Sequence, residues 1–503
     1  MNNKTKRSAY NFIYSVASMV ISITLGMILP RIIMVGYSSE INGLLNSVTQ
    51  FISYLIVFES GIQAVATQAL YNTVGNEDRP ATNAVLAAVH KNYRRIGLMY
   101  CLGLLGLSAV YPLFAPVEGY SWFHIFLVVF FSGFSNVVSF FFQGKYKILL
   151  TVDGRAYIFT NLTTVVTVLT NVLKIVLFSY GMKIHYVIML SFFLSLIQAL
   201  YVELYVRKKY GWIDLTAKPD LSALKQSKDA MIHQISGLVF SNTDALLLTL
   251  FCDLKVVSVY AIYKLIIGHL SSLLNMPFTS CSFALGQVYN TNRERYKKLL
   301  DSIQVLFAAM NFSVFAIAYR LLLPFVSLYT DGVTDIAYVD KWLPLLFILA
   351  ELLNHMRVPT RHTVNCAGHF KETLSRTVIE TTINLTVSIV GVIFLGIYGV
   401  LLGTIVALAY RTFDFIFYAN KVILQRSPKK DLWTYAANAL LAVAVVIALG
   451  MLPLEIGSYL DFIKAGLLIS PPVILLFAAF NYLLFREDVK LALTFFIKKK
   501  KKG

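Results

Sequence analysis

Fourteen apolar stretches, each at or near the length needed to cross a bilayer, alternate with short polar loops along this chain. They run at 9–35, 41–72, 96–114, 121–142, 157–180, 187–205, 230–252, 256–290, 299–323, 342–356, 377–395, 400–419, 433–451 and 465–485. A span needs about 20 mostly apolar residues to cover about 30 Å of hydrocarbon. The shortest stretches rely on flanking Tyr and Trp to complete the crossing. The first stretch is too long for a signal-peptide core and is read as a span. With 57% hydrophobic and 14% charged residues, a soluble globular domain is excluded. The expected fold is an all-α integral membrane protein of 14 transmembrane helices.

Charge fixes the orientation independently of length. Of the 44 Lys and Arg residues, four fall in the outer loops (Lys183, Lys255, Lys341 and Lys464) if the N-terminus is cytoplasmic. Five lie inside spans (Arg31, Lys174, Lys264, Arg320 and Arg411), and the remaining 35 occupy the inner loops and the two termini. That bias places both ends in the cytoplasm. The formal charge of +18 therefore calls for no nucleic-acid partner. Arg207-Lys208-Lys209 and Lys498–Lys502 would face anionic lipid headgroups instead.

The longest inner loop separates six spans from the next six. The domain expectation is an N-terminal six-helix lobe at 1–206, a cytoplasmic linker at 207–229, a second lobe at 230–425, and an extra helix pair with a basic tail at 426–503. The lobes read as related. Tyr71-Asn72-Thr73 recurs as Tyr289-Asn290-Thr291, and Asp153-Gly154-Arg155 is matched by Ala367-Gly368-His369, 214 residues on at the glycine. An even number of spans per repeat predicts parallel repeats about an axis along the membrane normal. Between Trp433 and Phe485 only Glu455, Asp461 and Lys464 are charged, so the extra pair is expected to be lipid-facing and peripheral.

Chemistry-bearing motifs are absent from the sequence. No HExxH or GxxxxGK[ST] occurs, and Cys101, Cys252, Cys281 and Cys366 form no CxxC pair. The residues that matter are the ionisable ones inside spans, because each costs several kcal/mol unless it faces water or a partner. Arg31, Lys174, Lys264 and Arg411 are the candidate cavity cations; Arg320, near an outer end, can snorkel. Glu59 and Asp244 are central in their spans and are candidates for carrying a coupled H+ or Na+. Glu351 and Asp414 complete the acidic set, and Asp414, three residues after Arg411, is placed to form a local ion pair with it. Asn46, Gln50, Asn171 and Asn242 are the candidate polar lining of a wet cavity between the halves, with Asn11, Ser15 and Gln234 extending it. Pro277 removes a helix hydrogen bond from the long eighth span and is a candidate hinge.

The span arrangement, Leu29-Pro30-Arg31 with Gly43-Leu44-Leu45, Glu59-Ser60-Gly61-Ile62-Gln63-Ala64 and Ala367-Gly368-His369-Phe370-Lys371 resemble the polysaccharide repeat-unit flippases of the multidrug/oligosaccharidyl-lipid/polysaccharide exporter superfamily. The resemblance covers essentially the whole chain. It implies a transporter, not an enzyme, with two helical lobes in the bacterial cytoplasmic membrane. The implied cargo is an undecaprenyl-pyrophosphate-linked oligosaccharide, moved to the outer leaflet for O-antigen, capsule or exopolysaccharide. It also implies a lipid-tail groove near the extra helix pair, and polysaccharide polymerase and chain-length machinery as partners. No cofactor is expected. A peptidoglycan lipid precursor flippase and a cation-coupled multidrug antiporter of the same superfamily are the alternatives.

The topology has a direct test. Reporter fusions after Lys209 and after Arg426 should both read cytoplasm, and one near Asp335 should read the outside. An external signal at Lys209 would refute the arrangement.

Overall fold

In lipid the backbone must satisfy its own hydrogen bonds, and the helix does so within one segment. The computed structural model describes residues 3–224 and 228–500, and among these residues the regular structure is entirely helical. The helices are α1 (Asn3–Gly36), α2 (Ser39–Gly75), α3 (Arg79–Phe114), α4 (Trp122–Val138), α5 (Gly144–Val152), α6 (Ala156–Ser179), α7 (Ile184–Lys209), α8 (Lys228–Phe251), α9 (Leu254–Thr291), α10 (Arg293–Tyr329), α11 (Leu343–Met356), α12 (Val358–Ala367), α13 (Leu374–Leu395), α14 (Ile397–Tyr418), α15 (Lys429–Gly450), α16 (Tyr459–Leu484) and α17 (Arg486–Lys500). The side chains of Asn11, Ser15, Ser60, Ile62, Ala64 and Gln234 lie outside the described set, as do residues 501–503.

Among the described residues, eleven helical segments are long and apolar enough to cross a membrane. α2, α8 and the α11–α12 pair fill the other three places, so the helix order accommodates fourteen passes. The short apolar stretch at 342–356 turns out to be only the first part of its pass. Helix direction resumes at Val358, where Pro359 sits in the first turn and needs no N–H partner. This continuation carries Arg357 and Arg361, which the loop count had assigned to the inner surface, into the helical segment.

The chain forms two compact units, Met1–Ala261 and Ile262–Gly503. In the first, α8 packs along α2. Ser47 Oγ and Thr249 Oγ1 are 2.7 Å apart, Asn42 Nδ2 donates to Ser258 Oγ at 2.7 Å, and Tyr111 donates to Ser47 at 2.7 Å. Inter-helix hydroxyl and amide bonds of this kind hold helices together where no hydrophobic drive exists between them. The linker is docked on α3: Asn83 Nδ2 donates to the Trp212 carbonyl at 3.2 Å, and the Asp220 amide donates to the Ala84 carbonyl at 3.1 Å.

In the second unit α10 carries the extra pair. Val445, Leu449, Ala465, Ile469 and Phe477 are buried in one cluster with Phe312, Ile317 and Leu321 of α10. The opposite faces, with Leu440, Val443, Leu467 and Leu475, are exposed as expected of lipid-facing helices. Buried Asn438 and Asn481 exchange amide hydrogen bonds of 3.0 and 2.8 Å between α15 and α16. Arg320 reaches the end of α15 and the turn that follows it, donating to the Leu449 and Leu452 carbonyls at 3.0 Å each. At the other end, Asp301 of α10 binds Arg426 at 2.6 Å and Lys430 at 3.0 Å, and Lys430 reaches Asp488 of α17 at 2.9 Å.

Internal geometry repeats between the units. Gly154 and Gly368 both have φ of +71°. In each turn the glycine amide bonds the carbonyl three residues back and the next amide bonds the one five back, at 3.1 and 2.8 Å in the first unit and 3.1 and 3.3 Å in the second. Asp78 and Asn292, also 214 residues apart, cap α3 and α10 by accepting from the amide three residues on.

Helices α13 and α14 approach closely enough that a Cβ on Gly399 would fall 2.0 Å from the Gly391 carbonyl group. Gly399→Val should therefore destabilise the protein by about 1–3 kcal/mol or more. Thermal unfolding of the purified chain in detergent, followed by size-exclusion chromatography, measures it; an unchanged profile would contradict this packing.

Candidate functional site

Two polar assemblies lie inside the helical segments, one in each unit. The first is a cavity of about 440 Å³ among α1, α2, α4, α6 and α7. Asn42, Asn46, Thr49, Ser132, Ser135, Thr170, Ser191 and Ser195 line it with several apolar residues. Lys174 is the charged residue among the lining. Its ammonium makes no hydrogen bond or ion pair among the described residues. Many of the hydroxyls here bond back to their own helix, Thr49 to the Leu45 carbonyl and Ser191 to the Val187 carbonyl at 2.7 Å each. Their oxygens keep acceptor capacity on the cavity side, since a hydroxyl has two lone pairs. The Asn46 amide donates 2.8 Å to the Asn42 carbonyl.

The second assembly is a continuous network across α9, α11, α13 and α14. Ser271 donates to Glu351 at 2.9 Å, and its Oγ lies 2.6 Å from His355 Nε2. Asn354 donates to Glu351 at 3.2 Å and accepts from Arg357 at 2.9 Å. Arg357 then donates to Glu380 at 2.5 Å. Glu380 lies 3.4 Å from Arg411, whose Nη1 bonds Asp414 at 2.6 Å and whose Nη2 bonds Thr377 at 3.0 Å. Arg376 closes the chain on Asp414. Arg411, Glu380, Ser388 and Asn384 are buried, so this network is inside the helix packing. Arg361, one turn beyond Arg357, is electrostatically coupled to Glu380 and to Arg357 and Arg411. Its side chain is exposed and makes no hydrogen bond or ion pair among the described residues. Counting Arg361, four arginines meet three carboxylates, an excess of formal positive charge.

The structure distributes the other sequence candidates as follows. Arg411 is ion-paired, as its spacing to Asp414 implies. Glu59 accepts from Tyr93 at 3.1 Å, with Lys147 as the cation within electrostatic reach. Asp244 is buried and accepts from Tyr260 at 2.8 Å. Asn171 and Asn242 donate to carbonyls one turn back in their own helices, at 2.8 and 2.9 Å. Gln50 is half-buried on α2 and does not line the 440 Å³ cavity. Arg31 on α1 and Lys264 on α9 are half-buried, and Pro277 lies within the unbroken α9.

Arg357, Arg361, Arg376 and Glu380 were not among the sequence candidates. The three arginines sit just outside the apolar stretches, where a loop reading is the natural one. The usable signal was the i, i+4 spacing of Arg357 and Arg361 around Pro359, which continues a helix face. Glu380 lies inside the eleventh stretch and was readable from hydropathy alone.

A further cavity of about 640 Å³ in the second unit is almost wholly apolar. Phe312, Phe315 and Tyr319 of α10, Leu349 and Leu353 of α11, and Tyr435, Ala439 and Val446 of α15 line it.

The network separates structural from free arginines. Removing one partner of a buried pair costs about 3–5 kcal/mol because the other charge is left alone. Glu380→Gln should therefore destabilise strongly, while Arg361→Ala should leave the melting temperature within a degree or two of the parent. Equal destabilisation by both would place Arg361 inside the ion-pair framework.

No family model matches the chain, and no curated protein matches it in sequence. Solved structures do match. The lipid II flippase MurJ in an inward closed conformation aligns at a TM-score of 0.66 and 12% identity, over 94% of this chain and 99% of that one. An inward-facing multidrug resistance MATE family transporter of the MOP superfamily aligns at 0.58 and 13% identity, over 84% and 95%. A point mutant of the Vibrio cholerae MATE transporter VcmN aligns at 0.52 and 15% identity, over 85% and 99%. The chain has the fold that these transporters share.

Proposed function

We propose that the chain is a flippase. It moves undecaprenyl-pyrophosphate-linked oligosaccharide repeat units from the inner to the outer leaflet of the bacterial cytoplasmic membrane by alternating access, with both termini cytoplasmic. The observation that carries this reading is the first unit's polar cavity with Lys174 as its charged lining residue. An ammonium held in a low-dielectric site without a carboxylate is stabilised by an anionic ligand. A pyrophosphate supplies that charge, and the surrounding hydroxyls and amides suit a sugar. The apolar groove along α15 offers a place for an isoprenoid tail. A cationic drug would meet like charge at Lys174, which weighs against a multidrug antiporter. The net cationic network with exposed Arg361 extends the same logic into the second unit.

Glu59 and Asp244 remain the proposed carriers of a coupled ion. A mid-membrane carboxylate favours its neutral form through desolvation, and a nearby cation opposes that, so a change in access could move its proton. The polysaccharide polymerase and chain-length machinery are proposed partners, and anionic lipids proposed neighbours of the basic loops.

The fold likeness to a lipid II flippase supports a second reading, in which a peptidoglycan lipid precursor is the cargo. Proteoliposomes loaded with lipid-linked oligosaccharide, lipid II or a drug cation separate the three, with leaflet exposure read by a membrane-impermeant glycosidase or lectin. The expected result is transport of the oligosaccharide lipid, reduced roughly tenfold or more by Lys174→Ala and largely kept by Lys174→Arg, by analogy with losing one charge-assisted contact. Glu59→Gln should abolish the pH dependence of transport without lowering protein yield. Drug transport with no lipid movement would overturn the proposal.

A further inference from the structure

At the ends of α9 and α10 that the charge bias assigns to the cytoplasm, the second unit has a polar cavity of about 310 Å³. Its walls are Tyr289, Arg293, Lys297, His369 and residues 422–425. That volume is at the low end of the ~300–1,000 Å³ range of small-ligand sites. Arg293 and Lys297 are one turn apart on α10 and so share a face. The Arg293 guanidinium lies 3.4 Å from the Tyr289 ring centroid, and Tyr289 is buried. The guanidinium therefore has its orientation set by an aromatic support and forms no ion pair among the described residues. Lys297 binds Glu294 at 2.7 Å, but Glu294 is exposed, and water screens that pair. His369 Nδ1 is 3.0 Å from the Tyr418 hydroxyl, which holds the ring in place. No carboxylate lines the cavity.

The first unit shows what a self-neutralised version of this turn looks like. There Asp153 precedes the left-handed glycine and Arg155 follows it, with Nε and Oδ2 3.0 Å apart. Tyr210 donates to the same carboxylate oxygen at 2.6 Å. In the second unit Ala367 stands in the place of Asp153 and His369 in that of Arg155, while the turn's hydrogen bonds are kept. The carboxylate is gone and basic side chains face an opening.

We propose that this cavity is an anion site that takes a phosphate group, as the diester of an inner-leaflet lipid headgroup or as free inorganic phosphate. The stacked guanidinium presents its planar donor fork to two phosphate oxygens, and Lys297 and His369 add donors from the other sides. The site is independent of the cargo assigned above.

The test uses the purified full chain and two variants. Arg293→Ala/Lys297→Ala removes exposed or half-exposed cations. Ala367→Asp removes none and restores the carboxylate that the first unit carries. One arm extracts the protein from vesicles of phosphatidylglycerol or phosphatidylcholine and reads retained lipid by native mass spectrometry. The other titrates orthophosphate by calorimetry. Retention of phosphatidylglycerol over phosphatidylcholine, weakened roughly tenfold for each cation removed and also lowered by Ala367→Asp, supports a lipid headgroup. Orthophosphate binding with the same variant dependence and no lipid preference supports the free ion. Parent and double variant behaving alike in both arms overturns the site, whether or not Ala367→Asp folds.

Discussion

Water is absent from the hydrocarbon interior, and every polar group placed there must find its partner within the protein. The backbone meets this demand through its helices, which is why the regular structure of the described residues is helical. Side chains meet it in two further ways. Isolated hydroxyls fold back on their own helix, as Ser108 does on the Leu104 carbonyl at 2.7 Å. Others bridge helices, as Tyr111, Ser47 and Thr249 do between α3, α2 and α8. These bridges are directional, so they set which faces meet in a way that uniformly apolar surfaces cannot.

Charged side chains carry the same demand at higher cost, and the two units answer it differently. Within its helix packing the second unit links Glu351, Arg357, Glu380, Arg411, Asp414 and Arg376 into one connected chain that starts at Ser271. Such a network ties four helices together because its links cross from α9 to α11, from α11 to α13 and from α13 to α14. The first unit keeps Lys174 beside neutral oxygens and amides. A rigid charge framework in one place and an uncompensated cation in another have different consequences: the first resists rearrangement, and the second rewards a ligand that brings negative charge.

Much of the helical architecture is legible in the sequence, because span length reports directly on lipid thickness. The repeat was legible through a few residues with strict backbone roles. Gly154 and Gly368 each occupy a left-handed turn that favours glycine, so the pair marks corresponding turns in the two units. The site was less legible. Arg411 and Asp414 are close in sequence and their pairing follows from helix geometry. Arg357, Arg376 and Glu380 meet only through tertiary packing of α11, α13 and α14, and no local pattern encodes that. Depth alone also failed to separate roles. Asn171 and Asn242 sit deep in their spans, yet their amides satisfy their own helices. The extra pair reads as featureless hydrocarbon anchor from its sequence, although Arg320 and the Asp301 cluster fasten both its ends to α10.

The reciprocal amide pair of Asn438 and Asn481 bears on how the chain is made. Inserted singly, α15 would carry an amide into lipid with only its own helix to answer it; inserted as a hairpin with α16, each amide completes the other. The two segments are therefore best delivered from the translocon together, their register already set when α10 receives them.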